Sequence, residues 1–207
     1  MTTRKLHRHV LSGHAHRAEL FLSLLGLEAE MVDVDLMNGA HKQPDFLEMN
    51  IFGQIPVLED GDTVISDANG ILVYLAQKYD DSGRWYPADA ETAAAVQRFL
   101  SVAAGQVASG PASARLVNVF GATLDHDRAI SIAHAILTIL DKHLEGRDWL
   151  AGDAATIADI ANYSYIAHAP EGDVSLEPYA NVRHWLARIE ALPGFVAMPV
   201  SAAGLNA

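Results

Sequence analysis

Apolar positions follow two regimes along this chain. In the first part they come as short runs between turn residues. Ala18, Phe21, Leu22 and Leu25 recur three and four apart, which predicts a helix over 12–27 with Gly26 as its C-terminal stop. A short strand is predicted ahead of it at 6–11, and the alternation over 28–36 predicts a second. Asn38-Gly39 marks a turn, and 44–49 reads as one short helix closed by Asn50. Two apolar runs, Val57-Leu58 and Thr63-Val64-Ile65, flank Glu59-Asp60-Gly61-Asp62 in the pattern of a hairpin. Ile71, Leu72, Leu75 and Tyr79 then share one face of a helix over 67–79. The order is β-α-β-α-β-β-α. The first two strands are expected to be parallel with a right-handed crossover, the last two antiparallel.

The second regime is helical throughout. Residues 81–90, with Asp81-Ser82-Gly83 and Tyr86-Pro87-Ala88-Asp89, read as a linker. Helical spacing follows over 91–109, 111–119, 128–144, 157–167 and 179–191, the last stopped by Pro193-Gly194, and no strand is predicted there. The expected fold class is α/β plus all-α: a domain at 1–80, the linker at 81–90 and an all-helical domain at 91–207. Thr156-Ile157-Ala158-Asp159 is a capping-box variant with Asp in place of the usual Glu, and its role is structural.

Composition narrows the chemistry. The 207 residues carry a net charge of −12, which argues against nucleic acid and against anionic membranes as partners. There is no Cys, so disulfides, zinc–thiolate sites and a Cys nucleophile are excluded, and any thiol chemistry must use a thiol the ligand brings. His7 and His9 fall on one side of a strand, but no third ligand follows at a useful spacing, so no metal is expected. The basic, His-rich start has no apolar signal core behind it, and no apolar run approaches a membrane span, which leaves a cytoplasmic protein as the expectation.

The most informative segment is Gly53-Gln54-Ile55-Pro56-Val57-Leu58. Pro can open a strand but not sit inside one, and an X-Pro bond is where a cis peptide is cheap. A cis bond at Ile55–Pro56 is expected to turn the Ile55 backbone outward, free to pair with an extended peptide as an added strand pairs. Pro56 opening an edge strand and nothing more is the plainer alternative.

The surrounding residues resemble the cytosolic glutathione transferases. The resemblance rests on Ser12 followed by Arg17, on His41-Lys42-Gln43-Pro44-Asp45-Phe46-Leu47, on Asn50-Ile51-Phe52-Gly53-Gln54-Ile55-Pro56-Val57-Leu58, and on the stretch from Ile65-Ser66-Asp67-Ala68 to Tyr74-Leu75. Further along it rests on Asp148-Trp149-Leu150-Ala151-Gly152, on the capping box, and on Leu192-Pro193-Gly194-Phe195. The order and spacing of these pieces span nearly the whole chain. The serine placement and the His-Lys pair are most similar to serine-type phi and theta members and their bacterial relatives.

The resemblance implies an N-terminal thioredoxin-like domain followed by an all-helical domain. It implies a cytoplasmic, detoxifying homodimer that uses glutathione as co-substrate against a small electrophile. It implies that Ser12 donates to the glutathione thiolate; by itself Ser12 also suits an ordinary helix N-cap. His14 and His16 are competing donors, or line the pocket mouth. His41 and Lys42 match positions that pair with the glycyl carboxylate. Gln54, Ile55 and Pro56 match the stretch that holds the glycyl and cysteinyl parts. Asp67 and Ala68 match the γ-glutamyl site, Asp67 doubling as a helix cap. Ala68 departs from the family's usual Ser, which predicts weaker glutathione binding by about 1 kcal/mol. Ile51 stands where Pro is usual. The apolar candidates for the electrophile are Leu11, Leu116 and Tyr165, with Arg115 to counter negative charge. Glutathione-dependent isomerisation, dehalogenation or peroxide reduction fit the same residues, as does a non-catalytic binding protein.

Overall fold

The computed structural model describes residues 4–207; the first three residues of the expected 1–80 domain lie outside the described residues. The chain forms two compact units. One holds the N-terminal part through Gly83 together with Pro193–Pro199, and the other holds Arg84–Leu192 with Val200–Ala207.

The first unit contains β1 (Arg4–Arg8), α1 (Gly13–Leu24), β2 (Glu30–Asp33), α2 (Pro44–Met49), β3 (Val57–Asp60), β4 (Thr63–Ser66) and α3 (Ala68–Tyr79). The strands form one sheet in the order β2-β1-β3-β4, with β1 parallel to β2 and the other pairs antiparallel. This is the thioredoxin-like topology. Strand alternation divides the apolar residues between its faces. Leu6 and Leu58 are cross-strand partners and fully buried. Val57, the residue before Leu58, points the other way and packs with Val34 and Phe46, joined by Ile55 and Leu36. α1 and α3 pack on each other and on the sheet. The segment 193–199 returns to this unit and is tied to α1. The Ser23 hydroxyl donates to the Gly194 carbonyl, and Nε2 of His16 donates to that of Val196.

The registers bring four chain segments to one end of the sheet. His7 pairs with Val57, Val57 with Ser66, and Arg8 with Asp33. β1 therefore ends where β3 begins, where β4 ends and where β2 ends. The Ser12 turn, the Ile55–Pro56 step and Asp67 all leave the sheet at that end.

The second unit contains α4 (Ala90–Ala104), α5 (Ser113–Phe120), α6 (His126–His143), α7 (Ile157–Ala167) and α8 (Ala180–Glu190). A single wide helical turn at Ala108–Ala112 precedes α5. α7 is the centre of this unit, buried at every position from Ile157 to Ile166. Most of its polar groups are therefore committed, although Oδ1 of Asn162 has no partner among the described residues. Asp159 accepts from the backbone N–H groups of Leu150 and Thr156, from the Thr156 hydroxyl and from the Trp185 indole. Asn162 donates to the carbonyls of Phe99 and Ala158. The capping box is formed as its sequence predicts. No helix among the described residues is long and apolar enough to cross a membrane.

Candidate glutathione site

Ser12 is the N-cap of α1. Its backbone is extended, its carbonyl accepts from the His16 N–H, and its Oγ accepts from the Ala15 N–H at 3.3 Å. That contact is long for an N–H···O bond. The side chain is half-buried, and its hydroxyl proton has no acceptor among the described residues. A donor group thus sits at the positive end of a helix dipole.

The two nearby histidines divide. His16 is buried with Nε2 on the Val196 carbonyl, so it is committed to holding the 193–199 segment. His14 accepts at Nδ1 from Nη1 of Arg17 at 3.1 Å. Burial, reinforced by the Arg17 charge, lowers its pKa from 6.5 to about 3, so it is neutral at physiological pH.

The Ile55–Pro56 peptide is cis. The Ile55 side chain packs into the small core on the α2 face. Neither its N–H nor its C=O forms a backbone hydrogen bond among the described residues. The loop before it is held by groups the sequence reading passed over. The Asn50 amide donates to the Gln54 carbonyl at 2.7 Å, and its oxygen accepts from the Phe52 N–H. Asn50 is buried, and its only signal in the sequence is a polar residue closing a short helix. Gly53 has φ +55, and a Cβ there would lie 2.7 Å from the His41 carbonyl oxygen. Only glycine permits that approach, and it brings the 39–42 turn against the 50–54 loop.

Lys42 closes this contact: Nζ donates to the carbonyls of Gly53 at 2.7 Å and Phe52 at 3.2 Å. His41 lies beside it, its pKa lowered by burial and then by the Lys42 charge. His41, Lys42 and Gln54 are therefore neighbours through the loop contacts, although far apart in sequence.

Asp67 has φ 78 and ψ 128, a conformation that side chains other than glycine adopt at a cost of about 1–3 kcal/mol. Its Oδ1 accepts from the Gly70 N–H at 2.8 Å and so caps α3. Ala68 opens that helix and is buried.

The residues expected around an electrophile fare differently. Leu11 and Leu116 are half-buried. Tyr165 is buried on α7. Arg115 is 1 % exposed and its Nε donates to Oε2 of Glu171, itself fully buried. The expectation that Arg115 counters negative charge on an electrophile meets a guanidinium that already has a carboxylate partner. Its charge is already balanced inside the helical unit, and withdrawing it would leave a buried carboxylate with only the Ser201 N–H and His168 as partners. His7, the other outlying candidate, pairs with Glu59 at 2.6 Å.

Comparison with known proteins places the fold in a family. The glutathione S-transferase N-terminal domain family matches residues 3–77, and the C-terminal domain family matches residues 125–193. Glutathione S-transferase 3 of Zea mays is 36% identical, over 94% of this chain and 92% of its own. A glutathione S-transferase from Pseudomonas fluorescens superposes with a TM-score of 0.89 at 28% identity, over 95% of this chain and 99% of that one. A glutathione transferase homolog from Drosophila mojavensis, solved with bound glutathione, superposes with a TM-score of 0.84 at 27% identity, over 93% and 90%. With both domain families matched and a relative 36% identical over nearly its whole length, this chain belongs to the glutathione S-transferase family.

Proposed function

We propose that the chain binds glutathione at the end of the sheet where Ser12, Ile55 and Asp67 emerge, and joins its sulfur to small apolar electrophiles. The observation that carries this reading is the state of Ser12: an N-cap hydroxyl whose proton is uncommitted, at a helix N-terminus. A free thiol has a pKa of about 8.5, and the thiolate is the nucleophile. Lowering that pKa by about two units takes about 2.7 kcal/mol of preferential thiolate stabilisation. One charge-assisted hydrogen bond supplies about 1.5–3 kcal/mol, and the helix dipole adds to it. Ser12 acts as a donor to the sulfur and not as a nucleophile.

The remaining assignments follow the loops. The Ile55 N–H and C=O pair with the cysteinyl part as an added strand would. Pro56 sets the bend, and Gln54, His41 and Lys42 face the glycyl end. Asp67 and the N–H of Ala68 receive the γ-glutamyl group. Leu11, half-buried one residue before Ser12, supplies apolar surface for the electrophile. The chain acts in the cytoplasm as a homodimer. Ile51 and Phe52, 79% and 71% exposed beside the site loop, support a partner surface.

Retention on immobilised glutathione, followed by a spectrophotometric conjugation assay, tests the reading. Binding with turnover is expected. Binding without turnover would make the protein a carrier, and failure to bind would remove glutathione altogether.

A further inference from the structure

The helical unit carries a second polar cleft, outside the proposed glutathione site. It has a volume of about 290 Å³ and lies between the turn after α6 and one stripe of α8. Asn181, His184 and Arg188 are three and four residues apart, so they stack along that stripe; Arg147 and Asp148 face them from the turn.

The charges here invert the balance of the whole chain. The protein has 14 basic against 26 acidic residues, yet this cleft gathers two guanidinium groups and an imidazole against one carboxylate. Arg188 and Asp148 pair at 2.8 Å with both side chains well exposed. Such a pair is weakly held. Among the described residues, the side chains of Arg147 and His184 have no hydrogen-bond or ion-pair partner. Asn181 is committed elsewhere. Its amide donates to the Asp141 backbone carbonyl, and its N–H, like that of Val182, donates to the Asp141 carboxylate. Asp141 thus caps α8 and does not neutralise the arginines.

We propose that this cleft binds phosphate, either free or as the monoester of a small molecule. A guanidinium presents a planar fork that matches a phosphate edge, and two forks with a third donor satisfy a dianion better than a single carboxylate can. Asp148 is the built-in competitor, because phosphate must take Arg188 from it. This inference does not depend on how glutathione is bound.

Titration calorimetry on the full chain at constant ionic strength, with inorganic phosphate and separately with glycerol 3-phosphate, tests it. Saturable binding of one anion per chain is expected. Arg147→Ala and Arg188→Ala should each weaken it by about tenfold, and Asp148→Asn should strengthen it severalfold. The ring resonances of His184 should move with phosphate and stay still in the Arg147→Ala/Arg188→Ala double variant. Tighter monoester binding assigns an organic phosphate, and tighter inorganic binding assigns the free ion. Far-ultraviolet circular dichroism verifies that each variant is folded.

Four results would overturn the proposal. One is the absence of saturable binding. A second is an equal loss in Arg128→Ala, an exposed cation at the start of α6 outside the cleft, which would mean diffuse attraction only. A third is weaker binding in Asp148→Asn. The fourth is an unchanged affinity in Arg147→Ala. That would assign Arg147 to the neighbouring cleft of about 420 Å³, where Glu145 and Asp153 also line the wall.

Discussion

Nη1 of Arg17 donates to Nδ1 of His14 across 3.1 Å on the first turns of α1. The imidazole accepting that bond is neutral and carries its proton on Nε2. Burial first, and the Arg17 charge second, lower its pKa from 6.5 to about 3. Between those values the unfolded chain takes up a proton that the folded chain refuses, so stability falls as pH drops from about 6.5 toward 3. At pH 5 the loss reaches at most about 2 kcal/mol, an upper figure because part of the residue meets solvent. Urea unfolding at pH 7 and pH 5 measures it. His14→Gln should flatten the difference, and an unchanged pH dependence would remove His14 as its source.

Ser12→Ala tests the thiolate donor. Losing one charge-assisted hydrogen bond should lower turnover by about 10- to 100-fold. The KM for glutathione should change by less than about twofold, because the hydroxyl favours the ionised sulfur over the bound tripeptide as a whole. The bound thiol should titrate closer to its free value, read from thiolate absorbance against pH. A variant that keeps the wild-type rate excludes Ser12 from the chemistry.

Ala68→Ser supplies the hydroxyl that the sequence resemblance leads one to expect at the start of α3. Tighter glutathione binding by about 1 kcal/mol, or about fivefold in KM, is expected with little change in turnover. No gain would mean that the γ-glutamyl carboxylate is held by backbone N–H groups alone.

Asp159 is fully buried and accepts from four groups that would lose their partner together: the N–H groups of Leu150 and Thr156, the Thr156 hydroxyl and the Trp185 indole. Asp159→Ala should destabilise the helical unit by about 3–5 kcal/mol, measured as a lower urea midpoint. Asp159→Asn, which keeps acceptor capacity at one oxygen, should cost less. Equal losses in the two variants would mean that the negative charge matters more than the hydrogen bonds.

Phe52 and Ile51 supply the test of assembly. Phe52→Glu places a charge on an apolar surface, and the variant should sediment as a monomer at micromolar concentration where the parent sediments as a dimer. A monomeric parent would end the homodimer reading, and a dimeric variant would move the interface elsewhere.

Much of the fold was legible because its elements are local. The α1 and α3 faces, the hairpin around Asp60-Gly61 and the capping box at Thr156 rest on spacing, turn chemistry and capping within a few residues. Their observed bounds, such as Gly13–Leu24 and Ala68–Tyr79, fall within a few residues of the predicted ones. Strand ends were less legible: the second strand narrows from 28–36 to Glu30–Asp33, because pairing with β1 decides how far it runs. The loops that carry the proposed site were legible where a motif marks them. Arg115 was not, because a spacing pattern says that a side chain faces inward without saying that a buried carboxylate waits there.

By itself the order of residues determined which segments become strands and helices, where the capping groups fall, and which short motifs bear on a thiol ligand. Hydrogen bonding and burial within a turn or two suffice for that. Tertiary structure alone decided which distant groups meet: Asn50 bracing the Gln54 carbonyl, Lys42 locking onto Gly53, His16 withdrawn to Val196, and Glu171 neutralising Arg115. The physical reason is that a charged or polar side chain has no fixed partner until packing removes water from it. Which partner it then takes depends on what the other strands and helices deliver.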